Sequence, residues 1–361
     1  MSEMHDFLAR LLRTEGAYAG YACSELLEGE TEGHGGTVSF RLWQKCLAER
    51  VSELAAAVAA RRPTLFVSQV HWARAMLAGR GVAPERFQAA LIRLKNVLQR
   101  ELPETVQALS SSYLDQAINS LAARPEEAEN RLVANTPHGH LASTYLLALL
   151  KGDRKRARQV IQGALDANES VPDMYRHVLL PAQRELGRMW LAGEINVAEE
   201  HFASHTTKMV MGQLLGRADF QAPNGKTLMA AAVHGNEHDI GLYAVADFFE
   251  MAGWRIVQLG AQVPVDDMVQ AVECFDVDLL ALSAALHVHI HAVKATIEAV
   301  RDGGQGKDVK ILLGGGAFTM APRLPVEIGA DAYARDVDEA VRIGNQLVGL
   351  PPAEIGSDGG G

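Results

Sequence analysis

Gly235-Asn-Glu-His-Asp-Ile-Gly241 follows directly on the apolar run Thr227–Val233, and the reading of this stretch decides the fold of the carboxyl-terminal half. An apolar run that stops at a turn, with a glycine opening a helical pattern just beyond, predicts a strand-to-loop-to-helix junction. His238 sits on that junction, one turn before Gly241, where an imidazole can be presented to a bound metal. Outward from it, apolar runs at 227–234, 255–260, 278–284, 310–314 and 331–335 alternate with helical patterns at 241–252, 266–275, 288–302 and 338–348. The alternation predicts an open parallel sheet. Continuous runs such as Leu279–Leu282 suit strands buried on both faces. Ligands of such sheets lie beyond the carboxyl ends of the strands, where His238, Ser283 and Gly314–Gly316 all fall. Glycines there let the backbone approach a bulky ligand closely, although nucleotide-binding sheets use the same device and a tight turn would need it too.

Taken with Trp254–Pro264, Leu279–Ser283 and Ile311–Gly316, the junction resembles the cobalamin-binding domain family, whose pattern is Asp-x-His-x-x-Gly, then Ser-x-Leu, then Gly-Gly. The resemblance implies a flavodoxin-like, doubly wound parallel sheet of five strands over 225–350. It also implies that His238 replaces the cofactor's own base as lower ligand to cobalt, with the displaced tail inserted beside the sheet. Asn236, Glu237, Asp239, Ile240, Gly241, Ser283, Gly314, Gly315 and Gly316 are the cofactor-binding positions it carries over. Two positions depart from the pattern. Asn236 stands where the family has an acid that accepts the imidazole's other N–H; an amide can accept that bond but brings no charge. Ser283-Ala-Ala285 has alanine where leucine is usual.

Upstream, Pro181–His201 joins two helical patterns through a turn at Leu191–Asn196, and segments at 141–151 and 153–167 complete a four-helix bundle over 138–218. It resembles the helical cap over the upper face of cobalamin in methionine synthase and in light-sensing cobalamin regulators. The spacing of Trp190 from Glu200-His201 matches the light-sensing class more closely. In that class the tryptophan packs over the 5′-deoxyadenosyl group, and the glutamate and histidine line the same pocket. A tryptophan face suits adenine, and a carboxylate and an imidazole suit its ribose. The resemblance therefore implies adenosylcobalamin and a photoreceptor that signals to a protein partner after light breaks the Co–C bond. The alternative is a corrinoid carrier of a methyltransferase system.

Composition frames both readings. With 361 residues, 48% apolar and 22% charged, the chain is long enough for two or three folded domains. No apolar run reaches the ~20 residues of a membrane span, and Met1–Arg13 has no signal-peptide pattern, so a cytoplasmic protein is expected. Cys23, Cys46 and Cys274 are scattered and read as reduced thiols. A net charge of −10 argues against direct nucleic-acid binding, and the helix-turn-helix of many light-sensing relatives is not evident. The basic cluster Lys151–Arg158 reads as a solvated helix face.

Residues 1–135 read as an all-helical domain, with a Gly-rich break at Glu28–Thr37 and patterns at 39–61, 63–79, 84–101 and 104–123 punctuated by Pro63, Pro84 and Pro103. It would serve as a dimerisation module for a homodimer, a partner-docking module, or a pocket for a second chromophore. Phe66, His71, Trp72 and Phe87 would accommodate a bilin-type tetrapyrrole such as biliverdin; at helical spacing the same residues would also make a core. Residues 351–361 read as a flexible tail.

Overall fold

The computed structural model describes residues 2–28, 40–122, 132, 136–303, 308–353 and 355. Most of the Gly-rich break and of the carboxyl-terminal tail falls outside the described residues. The chain divides into two compact units, Met1–Glu127 with Leu191–Glu194, and Ala128–Trp190 with Ile195–Gly361.

The first unit holds α1 (Ser2–Leu27), α2 (Phe40–Ala59), α3 (Pro63–Ala78), α4 (Pro84–Glu101) and α5 (Glu104–Ser120). Pro63 and Pro84 open their helices at the first turn, where the missing N–H is not needed. Trp43, Phe66 and Phe87 are completely buried, and the His71 ring bonds the Ser120 hydroxyl at 2.9 Å. Of the residues credited with a bilin, Phe66 and Phe87 are thus packing residues while Trp72 is half-buried, and the bilin expectation has no support. Arg50 and Glu53 form a buried two-point ion pair at 2.5 and 2.7 Å. Leu191–Glu194 belongs to this unit through backbone contact: a Cβ on Gly79 would lie 2.3 Å from the Ala192 carbonyl oxygen.

The second unit begins with four helical segments: α6 (Pro137–Leu150), α7 (Arg154–Asp166), a run from α8 (Val171–Asp173) through a π-helical stretch (Met174–Leu179) into α9 (Leu180–Leu191), and α10 (Val197–Leu215). Side-chain caps fix their starts. Thr136, Asp153 and Ser170 accept backbone N–H groups, and Asn196 with Glu199 makes a capping box. The π-helical stretch has no signature in the apolar pattern.

Strands β1 (Thr227–Ala232), β2 (Arg255–Gly260), β3 (Leu279–Ser283), β4 (Lys310–Gly314) and β5 (Ala332–Tyr333) form one parallel sheet in the order β2-β1-β3-β4-β5, with α11 (Ile240–Met251), α12 (Val265–Cys274), α13 (Ile290–Asp302), α14 (Leu324–Glu327) and α15 (Val337–Leu347) between and after them. This is the flavodoxin-like order. β1 is buried at every position because helices cover both faces. The outer strand β5 is shorter than the apolar run 331–335, since only two of its residues find a partner on β4.

Helical segments and sheet share one apolar core that includes Tyr145, Tyr175, Met211, Phe248 and Phe249. Within it Tyr175 donates to Asp247 Oδ2 at 2.6 Å, with the Met211 carbonyl 3.2 Å from the same hydroxyl. Burial raises the Asp247 carboxyl from 3.8 to about 6; the Tyr175 bond opposes the rise and the Glu250 charge adds to it. Such a group binds its proton more tightly folded than unfolded, so its contribution is fully present below about pH 4 and is lost as pH rises through about 6. Asp247→Asn should remove this slope, up to about 3 kcal/mol between pH 4 and 8 relative to the parent. Denaturation midpoints of both proteins across that range check it, and parallel curves would show that Asp247 does not titrate in the core.

Candidate functional site

The carboxyl ends of three strands are level with one another, Ser283 standing in register with Ala232 on one side and Gly314 on the other. Here the backbone makes the platform. The Ala284 N–H donates to the Gly314 carbonyl at 3.1 Å, and the Val233 N–H to the Ser283 carbonyl at 3.2 Å. Gly315 lies at φ 102°, and a Cβ there would fall 2.2 Å from the Ala284 oxygen. Only glycine satisfies both the angle and the approach.

Asn236, fully buried, ties the loop after β1 to this platform. Its Nδ2 donates to the Ser283 carbonyl at 3.0 Å, and its Oδ1 accepts the backbone N–H of His238 at 3.2 Å. The amide thus serves the backbone of His238, where the sequence reading had it serve the imidazole. The His238 side chain is left exposed at the loop's crest. Gln262, at φ 63°, accepts the Gly235 N–H at 3.1 Å and donates to Glu237 Oε1 at 3.4 Å.

The residues after His238 divide. Asp239 is buried and turns to Lys208 on α10, 2.6 Å away, while the Lys208 ammonium lies 5.2 Å from the Tyr243 ring centre. Asp239 thus ties α10 to the start of α11. Ile240 packs partly buried against the core. Gly241 is helical and exposed, and a Cβ there would meet nothing within 4 Å. The protein's own packing does not require glycine at that position.

Trp190, near the end of α9, is half-buried against the same core. Glu200 on α10 accepts from Ser204 at 2.5 Å, and its second oxygen lies 2.8 Å from His201 Nδ1. Burial would raise the Glu200 carboxyl, but the Ser204 and His201 hydrogen bonds outweigh it, and the His201 and His238 rings add to the lowering. The helical face and the His238 loop are therefore within electrostatic reach. Gln183 and Thr207 extend the Ser204 bonds to the buried Tyr145 hydroxyl.

Sequence reasoning passed over Gln262, Lys208, Ser204 and His289. The first three carry no local signal. His289 lies in His287-Val-His-Ile-His291, an alternation directly after β3 that marks the same end of the sheet. It is buried; burial first, then His238 and His291, pushes its ring down to about 4, against a backbone hydrogen bond at Gly235.

Among the described residues no group of three or more His, Cys, Asp or Glu side chains could hold a metal ion. A single exposed imidazole beside open space fits a metal that arrives with its own equatorial ligands. A Cβ on Gly241 would meet nothing within 4 Å, whereas Cβ atoms on Gly315 and Gly316 would press on the Ala284 and Ala285 carbonyls of the protein itself. These features place an exposed imidazole at the carboxyl end of a 2-1-3-4-5 sheet.

Comparison with known proteins names the cofactor. Residues 226–342 match the B12 binding domain, and residues 141–215 match a second B12 binding domain model. The chain carries cobalamin-binding domains, and its cofactor is a corrinoid. It is similar to a corrinoid protein of Desulfitobacterium hafniense, 23% identical over 206 residues that span 56% of this chain and 94% of that protein. It is also similar to dimethylamine corrinoid protein 3 of Methanosarcina acetivorans, 26% identical over 198 residues, 54% of this chain and 91% of that protein. The fold matches the monomethylamine corrinoid protein of Methanosarcina barkeri with a TM-score of 0.52 at 21% identity, covering 58% of this chain and 98% of that one.

These relatives overturn the light-sensing reading: they are corrinoid proteins, and neither photoreception nor signal transduction is supported. The Trp190 and Glu200-His201 spacing misled because it fixes position on the helices and not the ligand above them. Both oxygens of Glu200, the group assigned to a ribose, already have partners in Ser204 and His201. No described helix is long and apolar enough to cross a membrane.

Proposed function

We propose that the chain is the corrinoid carrier of a methyltransferase system. The observation that carries this reading is coverage: the match spans nearly the whole of two corrinoid proteins, one of them a dimethylamine corrinoid protein. A bound corrinoid would supply a cobalt centre able to accept a methyl group from one protein's substrate and yield it to another.

The chain's own residues would hold and orient that group. His238 would hold the cobalt from the lower side, its backbone fixed by Asn236 so that the ring starts from one loop position. Ser283 and Gly314–Gly316 would line the space for the displaced tail. Trp190, Glu200 and His201 would face the upper side, with Glu200 kept ionised by its hydrogen bonds. The Lys208–Asp239 pair would hold α10 beside the His238 loop until a methyltransferase docks. The helices of the first unit are the proposed docking module for such a partner.

The test needs no partner at the outset. Protein reconstituted with hydroxocobalamin, reduced and treated with a simple methyl donor should take up a stoichiometric methyl group and pass it to a thiol acceptor when the cognate methyltransferase is added. Full cobalamin loading with no methyl uptake would exclude the carrier reading.

A further inference from the structure

The three histidines of His287-Val-His-Ile-His291 part company in the fold. His291 is exposed on α13, whereas His289 is only 9% exposed and packs against the loop that carries His238. A Cβ on Gly235 would stand 3.6 Å from His289 Cδ2 and 3.7 Å from its Nε2, so that edge of the ring lies against the Gly235 backbone. Its other nitrogen, Nδ1, is buried with no hydrogen-bond partner. Buried polar atoms normally have partners, and one left over close to a ligand-binding loop calls for the partner that completes it. Asn236 cannot provide it, because both ends of its amide are bonded to backbone.

We propose that His289 is a further corrinoid-binding residue: one ring nitrogen braces Gly235, and so the loop bearing His238, while Nδ1 accepts a hydrogen bond from the bound corrinoid. A ring buried this deeply stays neutral, with one N–H and one acceptor nitrogen. With the Nε2 edge against Gly235, the N–H is assigned to Nε2, which leaves Nδ1 as the acceptor. Corrinoids offer the matching donors, N–H groups on their rim amides and an O–H on the nucleotide tail. The inference rests on the corrinoid reading of the His238 site and adds a residue that the family pattern in the sequence did not mark.

Two variants separate the ring's two tasks. His289→Gln places an amide near the Nε2 position and removes Nδ1, whereas His289→Asn keeps an acceptor near Nδ1 and removes the brace. Titration calorimetry with hydroxocobalamin and with aquocobinamide, which lacks the nucleotide tail, measures binding. The nitrogen coupling in the EPR spectrum of reduced, cobinamide-loaded protein, where the ligand has no base of its own, measures the His238–cobalt bond. His289→Gln should melt like the parent when apo yet bind on the order of tenfold more weakly, the scale of one buried hydrogen bond. His289→Asn should bind more tightly than the Gln variant while its EPR coupling broadens. A loss confined to cobalamin assigns the donor to the tail, and a loss with both probes assigns it to the rim amides; either supports the proposal. Parent-like affinity of His289→Gln for both probes would overturn it. Failure of the parent protein to bind either probe would overturn the corrinoid reading itself, and that result is read before any variant is compared.

Discussion

His238→Ala is expected to remove the nitrogen coupling to cobalt and to weaken cobalamin binding on the order of 100-fold, the upper end of what partners of a metal site contribute. The folded apoprotein should not notice. His238 is exposed, and its backbone N–H, which Asn236 holds, survives the substitution. Apo stability should stay within about 0.5 kcal/mol of the parent, as for other exposed positions. Calorimetry and EPR on the reduced, loaded protein measure the first effect, and thermal melting measures the second. Nitrogen coupling that persists in the variant loaded with cobinamide, which has no base of its own to return to the metal, would remove His238 from the cobalt.

The second large effect is at Gly315, where the steric conflict is with backbone. A valine there would set its Cβ 2.2 Å from the Ala284 oxygen and 2.8 Å from its carbonyl carbon, at a φ of 102° that a β-branched residue rarely adopts. No rotamer change relieves such a contact. Gly315→Val should cost about 3–5 kcal/mol and lower the melting temperature of the second unit by roughly 10 °C. Gly241 provides the contrast. A Cβ there meets nothing within 4 Å, so Gly241→Leu should leave the apoprotein as stable as the parent or more so, while cobalamin binding falls. Equal loss of stability at both glycines would show that Gly241 serves the protein's own packing and not the ligand.

Much of the site was legible because its residues fall at strand ends. A parallel strand must stop, turn and feed a helix, and the apolar runs located those stops to within two residues at β1, β3 and β4. His238, Ser283 and Gly314–Gly316 were read as neighbours on that basis, and the register of β1, β3 and β4 puts Ser283 level with Ala232 and Gly314. The role of the helical face was not legible. Trp190 and Glu200 are spaced alike whether they cover a nucleoside or a methyl group, so helical periodicity could not separate photoreceptor from carrier. The bilin reading failed similarly, since buried aromatic residues at helical spacing look the same in a core and in a pocket.

What the sequence determined by itself was the order of elements, the parallel sheet, the helical bundle ahead of it and the loop that bears His238, all properties of local pattern and chain order. What only the tertiary structure decided was who bonds to whom. Asn236 turns to the backbone of His238 and the Ser283 carbonyl, Asp239 reaches Lys208, Tyr175 finds Asp247, and His289 packs on Gly235. The two last pairings join positions 72 and 54 residues apart in the chain. A side chain's partner is set by whatever packing brings within ~3 Å of it, and that distance is not encoded in the spacing of its neighbours along the sequence.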